Sequence, residues 1–364
     1  MIEWDIKQAT KKTKGEKIMK DKMKVAVMTA INEMKFEEQP VPTPKADEAL
    51  VKLEYVGICG SDMHYFEKGR IGDFVVTPPI VLGHECAGTI VKLGENVKHL
   101  KIGDRVSIEP GITCKTCPAC RKGEYNLCAD IEFFATPPYD GVFQEYVAHE
   151  ATMCFKLPDN VSTMEGALIE PLAIGFYAAQ KGKAKVGQKA VVFGAGCIGL
   201  VSMLALKASG VSQVYVVDGM ENRLEKAVEL GANGVVNFKK DDPATKLKEL
   251  VPGGVDLVIE TSGAPSAIKA AIDVCRLAGT IVMVGYSEGD EVSIPMNSAI
   301  NKELCFESIF RYRHIYPIAI EAVAAGDVNI KNLVSHTFNF DDLPKAMEEC
   351  SKSKDVISKA VVKI

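Results

Sequence analysis

The pattern of apolar and polar positions divides the chain into two parts. Up to about residue 165, short apolar runs are separated by Gly, Pro and Asp, with no long amphipathic helix among them. This pattern predicts a β-rich region with short strands at residues 49–56, 88–93 and 105–108. From about residue 189, apolar runs alternate with stretches of helical periodicity, which predicts βαβ units and a parallel sheet.

The second part contains six predicted strands with helices between them. The strands are predicted at residues 190–193, 214–217, 234–237, 256–260, 280–285 and 305–309, and the main helices at 198–208, 221–231 and 266–277. Six such strands are the number found in a doubly wound dinucleotide-binding fold. After Arg311 the pattern becomes helix, strand, helix, strand, and we expect this tail to return to the first domain.

The length, the net charge and the apolar stretches of the chain exclude several classes of protein. A chain of 364 residues is about the size of two ordinary domains. The net charge is −5, and no long block of like charge is present, so we expect no nucleic-acid partner. Every apolar stretch is interrupted before eighteen residues, so we expect no membrane-spanning helix. Residues 1–23 are rich in Lys without an apolar core, which predicts a solvated extension and not a secretory signal.

Eleven cysteines, an odd number without a signal peptide, do not indicate a disulfide framework, so we expect a cytoplasmic protein. Four of them have the spacing Cys114-x2-Cys117-x2-Cys120-x7-Cys128. Four thiolates in one tight loop are the ligand set of a closed, structural zinc site. An iron–sulfur cluster is the alternative, although the fourth spacing and the lack of a second cluster motif disfavour it.

A second motif predicts a nucleotide site. Gly194, Gly196 and Gly199 form Gly-x-Gly-x-x-Gly between an apolar strand and a helix. Such glycines permit a tight turn and close approach of a pyrophosphate to the helix N-terminus. Asp218 ends the next strand, where a carboxylate accepts hydrogen bonds from ribose hydroxyls and repels a 2′-phosphate, so NAD is favoured over NADP. Arg223 keeps NADP as an alternative cofactor, because an arginine near this position can neutralise the 2′-phosphate.

A third group of residues is spread along the first part. Cys59 lies in Gly-Ile-Cys-Gly-Ser-Asp, and His84 and Glu85 lie in Gly-His-Glu-Cys-Ala-Gly. A catalytic zinc takes three protein ligands and keeps an open fourth position, and a thiolate, an imidazole and a carboxylate can supply those three. The glycines around them permit close packing about a crowded centre.

These motifs together resemble the zinc-containing medium-chain alcohol dehydrogenases. The pattern Gly-His-Glu-x2-Gly-x5-Gly-x2-Val, the four-cysteine lobe and the later glycine motif carry the resemblance from about Lys24 onward. Stretches such as residues 57–65, 69–76 and 310–312 are most similar to polyol dehydrogenases of the sorbitol, xylitol and L-iditol type. The resemblance implies an α/β chain with a GroES-like catalytic domain at residues 24–172 and 311–364, and a Rossmann domain at residues 173–310. It implies NAD, one catalytic and one structural zinc, and a dimer or tetramer.

The resemblance also implies roles for individual residues. Cys59, His84, Glu85 and Glu170 surround the catalytic zinc, and either glutamate is the carboxylate ligand, depending on the state of the site. The residues that match positions holding polyol hydroxyls are Tyr65, Glu170, Arg311 and Tyr312. Besides the glycines, the residues that match cofactor contacts are Ile198, Asp218, Arg223, Val284 and Phe310.

These roles predict oxidation of a secondary alcohol by hydride transfer to the nicotinamide, with Ser61 placed to receive the hydroxyl proton. We expect a small-molecule substrate, a polyol or its 2-ketose. Dehydrogenases of 2,3-butanediol or L-threonine share the zinc and Rossmann motifs, and remain an alternative. A catalytically silent NAD-binding protein on the same fold is a further alternative, which the presence of Cys59 and His84 disfavours.

Overall fold

The computed structural model describes residues 20–287, 289, 291–353 and 356–364. Most of the expected N-terminal extension, residues 1–19, lies outside the described residues, and the first strand begins at Lys22. No helix within the described ranges is long and apolar enough to cross a membrane.

The first part of the chain is built from short strands. They are β1 (Lys22–Ala30), β2 (Glu33–Pro40), β3 (Glu48–Ile58), β4 (Arg70–Ile71), β5 (Phe74–Val75), β6 (Ile80–Val81), β7 (Glu85–Leu93), β8 (Arg105–Ile108), β9 (Gly111–Ile112), β10 (Glu132–Phe133), β11 (Tyr146–Glu150) and β12 (Cys154–Lys156). The helices of this part are α1 (Gly60–Lys68), α2 (Pro118–Arg121) and α3 (Thr163–Ala167). Its β-rich character agrees with the sequence pattern.

The second part is a parallel α/β sheet. Its strands are β13 (Lys189–Phe193), β14 (Gln213–Asp218), β15 (Gly234–Asn237), β16 (Val255–Glu260), β17 (Cys275–Met283) and β18 (Cys305–Ser308). Its helices are α4 (Ile169–Lys181), α5 (Cys197–Ala208), α6 (Glu221–Glu229), α7 (Pro243–Leu250), α8 (Pro265–Val274) and α9 (Met296–Asn301). The order β15-β14-β13-β16-β17-β18 is that of a Rossmann fold, so the predicted fold class is confirmed.

Burial explains why the strand predictions in this sheet succeed. In β13 the residues from Ala190 to Phe193 are at most 2% exposed, since helices cover both faces of the sheet. One apolar core lies under α4 and α5, and a second lies on the opposite face with α7 and α8. A strand buried on both faces is a continuous apolar run, which stands out in a sequence.

The rest of the chain returns to the first sheet. It forms α10 (Tyr316–Ala325), β19 (His336–Asn339), α11 (Leu343–Lys352) and β20 (Ala360–Lys363). Strand β20 inserts between β3 and β19 and runs antiparallel to β3, with Ala360 opposite Ile58. The end of the described chain therefore lies directly beside Cys59.

Two local predictions differ from the structure. The helix expected at residues 266–277 ends at Val274, because β17 begins at Cys275 and its pairing with β16 has a register irregularity before Thr280. Helix α7 was not predicted, although Asp242 accepts a hydrogen bond from the Thr245 amide and Pro243 occupies the first turn. Both residues are ordinary signals of a helix start.

Candidate active site

The cleft between the two parts of the chain contains a cavity of about 320 Å³. Its lining combines polar groups with apolar walls: Cys59, Ser61, Tyr65, Ile71, Phe74, His84, Phe133, Phe134, Ala135, Thr136, Glu170, Ile174, Ile198, Thr261, Val284, Gly285, Tyr286, Ile309, Phe310 and Arg311. Polar groups that converge in an apolar cavity are typical of a small-molecule site.

Three side chains that can ligate a metal lie close together, and two of them, Cys59 and His84, line this cavity. Cys59, His84 and Glu85 each offer one ligand atom, and these atoms lie within 4.8 Å of one another. Cys59 precedes α1, and His84 directly precedes β7, which pairs with β3 so that Gly57 is opposite Glu85. A Cβ on Gly57 would lie 1.9 Å from a Glu85 carboxylate oxygen, so any larger residue here would displace that carboxylate. Thiolate, imidazole and carboxylate form a donor set that fits zinc.

Asp62, which the sequence analysis missed, holds this cluster in place. Its side chain is fully buried, and its two oxygens accept hydrogen bonds from the amides of Cys59 and Gly83, each at 2.9 Å. Its Oδ1 lies 3.6 Å from Nδ1 of His84. Such a contact fixes the orientation of a metal-ligating imidazole. Asp62 follows Cys59 by three positions in the same motif, which could have indicated it.

The electrostatics around His84 favour a cation. Burial opposes a charge on the imidazole, but the Asp62 carboxylate and the Cys59 sulfur outweigh it and raise the pKa of His84 well above its usual value. Two electronegative neighbours that stabilise a proton at this position also stabilise a bound metal cation.

Glu85 has a partner that sequence reasoning did not find. The Lys359 ammonium lies 2.6 Å from Oε1 of Glu85 and 3.1 Å from the Ile58 carbonyl oxygen. Both side chains are nearly fully buried, at 2% and 1% exposed. The sequence offers one indication of this partner, since Lys359 directly precedes the apolar strand β20.

Glu170 enters the cavity from the first turn of α4. It is buried, burial raises its pKa, and its Oε1 accepts a hydrogen bond of 2.7 Å from the Tyr312 hydroxyl. Tyr312 is 2% exposed and lies behind Glu170, and it is not among the described residues that line the cavity. Glu170 also lies outside the cluster of Cys59, His84 and Glu85.

Arg311 lines the same cavity as Cys59 and His84. Its guanidinium carbon lies 3.9 Å from the centre of the Phe133 ring, and Nη2 lies 3.4 Å from the Thr136 hydroxyl. Its Nη1 is buried, and no group in the described part of the chain accepts a hydrogen bond from it. A buried guanidinium donor without a partner is costly, so this atom is suited to bind an oxygen of a ligand.

The four remaining candidate ligands lie together in a lobe outside the cleft. The ligand atoms of Cys114, Cys117, Cys120 and Cys128 all lie within 4.8 Å of one another. Sγ of Cys114 is 3.5 Å from that of Cys128 and 4.0 Å from that of Cys120. Thiolates at zinc in a tetrahedron are about 3.8 Å apart, so the sulfurs fit one ion. Hydrogen bonds from the amides of Thr116 and Cys117 lower the pKa of Cys114 to about 6.

The predicted nucleotide residues lie along the carboxyl ends of the parallel strands. Gly194 has φ +97°, and a Cβ on Gly199 would lie 1.8 Å from the Gly194 carbonyl oxygen, so both positions require glycine. Gly196 precedes α5 directly. Asp218 accepts hydrogen bonds from the amides of Ala195 (2.7 Å) and Met220 (2.9 Å), and lines a second cavity of about 480 Å³ with Gly194.

Other cofactor candidates lie closer to the metal cluster. Ile198, Val284 and Phe310 line the catalytic cavity. Arg223 lines a third cavity of about 260 Å³, together with Lys359 and with Cys197 at the start of α5. Gly194 directly follows β13 and Asp218 ends β14, at the edge where α/β sheets bind a dinucleotide.

Comparisons with known proteins identify the family. Residues 45–159 match the alcohol dehydrogenase GroES-like domain, and residues 197–325 match the zinc-binding dehydrogenase domain. The chain is 45% identical to sorbitol dehydrogenase of Bos taurus over 325 residues, covering 88% of this chain and 90% of the relative. The chain belongs to the zinc-binding alcohol dehydrogenases.

Two further members of this family are similar over nearly their whole length. Sorbitol dehydrogenase of Bacillus subtilis is 40% identical over 341 residues, which cover 93% of this chain and 97% of that one. The crystal structure of 2R,3R-butanediol dehydrogenase from Bacillus subtilis is 33% identical, with a TM-score of 0.87, and the match covers 94% of this chain and 99% of that one.

The predicted family is confirmed, and with it the class of chemistry. As a zinc-binding alcohol dehydrogenase, this protein is an oxidoreductase that uses zinc and a nicotinamide cofactor. The roles of individual site residues, and the domain boundaries at residues 172 and 311, stay predictions.

Proposed function

We propose that this protein is an NAD-dependent polyol dehydrogenase that oxidises a secondary hydroxyl of sorbitol, xylitol or L-iditol and gives the 2-ketose. The observation that carries this proposal is the buried Nη1 of Arg311, which has no hydrogen-bond partner among the described residues, in the cavity of about 320 Å³ that Cys59 and His84 also line. A substrate with hydroxyls beyond the reacting carbon supplies the oxygens that this guanidinium lacks. The sorbitol dehydrogenases among the relatives support the same substrate class.

Different residues of the site bind zinc, transfer the proton and bind the substrate. Cys59 and His84, with Glu85 or Glu170, hold the catalytic zinc, and the four lobe cysteines hold the structural one. Zinc bound in the cleft is a Lewis acid that favours loss of the hydroxyl proton. Ser61, two residues after Cys59, would accept that proton while its own hydroxyl proton passes on to solvent. The carbon that bears the hydroxyl would give up its hydride to the nicotinamide of NAD. Tyr65, Glu170 and Arg311 hold further hydroxyls, and Tyr312 acts on them through Glu170.

The residues at the carboxyl ends of the parallel strands support NAD as the hydride acceptor. The Asp218 carboxylate lies at the end of β14, where it repels a 2′-phosphate. Arg223 lines another cavity, together with Cys197 at the start of α5, where a guanidinium suits the pyrophosphate that NAD and NADP share. We therefore expect reduction of NAD to be preferred over reduction of NADP. Contacts from Ile198, Val284 and Phe310 orient the nicotinamide ring.

The test is the rate of reduced-cofactor formation from xylitol, D-sorbitol, (R,R)-2,3-butanediol and L-threonine, with NAD and with NADP. We expect chelator-sensitive activity on a polyol with NAD. Activity on butanediol alone would favour the butanediol alternative, which the solved structure of a butanediol dehydrogenase relative supports. Activity on L-threonine alone would favour the other dehydrogenase alternative, and inactivity on all four would indicate a non-catalytic protein.

Replacement of Arg311 is expected to weaken polyol binding. Arg311→Leu removes the buried donors, and a hydrogen bond to a charged group contributes about 1.5–3 kcal/mol, so KM for xylitol should rise about 10- to 100-fold. Arg311→Lys is the matched control that keeps the charge and loses the planar pair of donors, and it should recover part of the loss. Unchanged KM in both variants would show that Arg311 does not contact the substrate.

We further propose a homo-oligomer, a dimer or a tetramer, formed through the edge of the Rossmann sheet. Strand β18 is an edge strand of this sheet, and the described residues near it include exposed apolar side chains: Leu277 (67%), Ile300 (66%) and Phe306 (38%). An unpaired apolar edge favours pairing with a second copy. Light scattering at micromolar concentration tests this proposal, and a monomer would contradict it.

Domain boundaries and location complete the proposal. Residues 24–172 and 311–364 form the catalytic domain and residues 173–310 the NAD-binding domain, which the pairing of β20 with β3 supports.

A cytoplasmic location suits eleven cysteines, all of them free in this structure. Cell fractionation tests the location, and recovery of the protein with secreted material would contradict it.

A further inference from the structure

The zinc lobe contacts the segment that carries Arg311. Residues 123–126, here called the lobe arm, lie against residues 310–314, here called the recognition segment. The buried Asn126 donates a hydrogen bond of 2.7 Å from Nδ2 to the Phe310 carbonyl oxygen. Its Oδ1 accepts a hydrogen bond of 2.9 Å from Nη1 of Arg313. One side chain of the lobe arm therefore binds the residues on either side of Arg311 and Tyr312.

Tyr125 holds the far end of the recognition segment. Its hydroxyl accepts a hydrogen bond of 2.7 Å from the His314 amide, and donates one of 2.9 Å to the buried carboxyl of Glu109. The His314 ring packs edge-on against Tyr125, with 4.8 Å between ring centres, and its Nε2 lies 2.8 Å from the Gly123 carbonyl oxygen. The lobe arm thus contacts both ends of the recognition segment.

The recognition segment needs such support because its own backbone is unfavourable. Arg311 has φ 54° and His314 has φ 57°, in the left-handed region that non-glycine residues rarely adopt. The segment belongs to no helix or strand that could hold it. Contacts from elsewhere in the chain must therefore stabilise a backbone of this kind.

We propose that Asn126 and Tyr125 are positioning residues for polyol recognition. They act through the recognition segment, by fixing the direction in which Arg311 enters the cavity and the contact of Tyr312 with Glu170. The lobe, which lies outside the cleft, then sets the affinity for the distal hydroxyls of the substrate. This inference rests on the proposed polyol dehydrogenase function.

The first test separates substrate positioning from general stability. Asn126→Ala removes the contacts on both sides of Arg311, so KM for xylitol should rise about ten-fold. For 2-butanol, which has no distal hydroxyl, kcat/KM should change less than about two-fold, and both zinc ions should be retained. Lys122→Ala is the matched control, an exposed position in the same lobe, and should leave both substrates unaffected.

The second test does not depend on activity. Tyr125→Phe removes the acceptor for the His314 amide, and hydrogen exchange at residues 310–316, measured by mass spectrometry, should become about five-fold faster in this variant and in Asn126→Ala. Faster exchange with unchanged KM for xylitol would overturn the positioning role. Equal losses on xylitol and 2-butanol would also overturn it, in favour of a general structural role. A wild-type enzyme inactive on polyols would refute the proposed function, while the exchange result would still report on the contact itself.

Discussion

Replacing His84 with alanine is expected to abolish dehydrogenase activity while the fold is retained. His84 offers one of three donor atoms that lie within 4.8 Å of one another, and Asp62 lies 3.6 Å from its ring. Without this imidazole the cleft should not retain its zinc. Loss of Lewis-acid catalysis worth several kcal/mol corresponds to a fall in kcat of about a thousand-fold or more. Bound zinc should fall by one ion per chain.

Steady-state kinetics with xylitol and metal analysis by mass spectrometry check this expectation together. His336→Ala is a suitable control, because His336 lies on β19, outside the residues that line the cleft. That variant should keep its zinc and its activity. If His84→Ala retained both zinc ions, the ligand set proposed for the cleft would be wrong.

The second large effect is expected at Lys359. Lys359→Met leaves the Glu85 carboxylate buried without its cation, and breaking a buried pair in this way costs about 3–5 kcal/mol in the free energy of unfolding. The double variant Glu85→Gln/Lys359→Met removes both charges and should recover most of that loss. Lys363→Met, at an exposed position on the same strand, should change stability by less than about 0.5 kcal/mol.

Denaturation by urea in the presence of zinc measures these differences. A loss below about 1 kcal/mol in Lys359→Met would mean that a cation other than Lys359 balances the carboxylate. Because Glu85 is also a candidate zinc ligand, that result would favour Glu85 over Glu170 as the carboxylate that binds the metal.

The sequence predicts those parts of the molecule whose signals are local. The central parallel strands were found because each is a short apolar run. The glycines at 194 and 199 were found from their spacing, and the structure explains them by a positive φ at Gly194 and a close backbone approach at Gly199. The four lobe cysteines lie within fifteen positions, so their spacing alone indicates a metal site. Helix boundaries were less accurate where a strand follows without a turn signal, as at Val274 and Cys275.

The parts that were missed depend on residues far apart in the chain. Lys359 reaches Glu85 across 274 positions, and Asn126 reaches Phe310 across 184, so no local pattern connects them. The sequence could indicate Arg311 as a substrate residue only through resemblance to the family. Its unpaired Nη1, and the support that holds its strained backbone, are visible only in three dimensions.

The placement of β20 within the first sheet has a consequence for synthesis on the ribosome. Lys359 is translated 301 positions after Ile58, whose carbonyl it binds, whereas the strands of the nicotinamide domain all lie in one continuous stretch between them. That domain can fold while the chain is still growing. Cys59 and His84 are synthesised long before β20, the strand that pairs beside them. The catalytic centre is therefore completed only after the end of the chain has been synthesised. Metal loading there should therefore follow the folding of the cofactor domain.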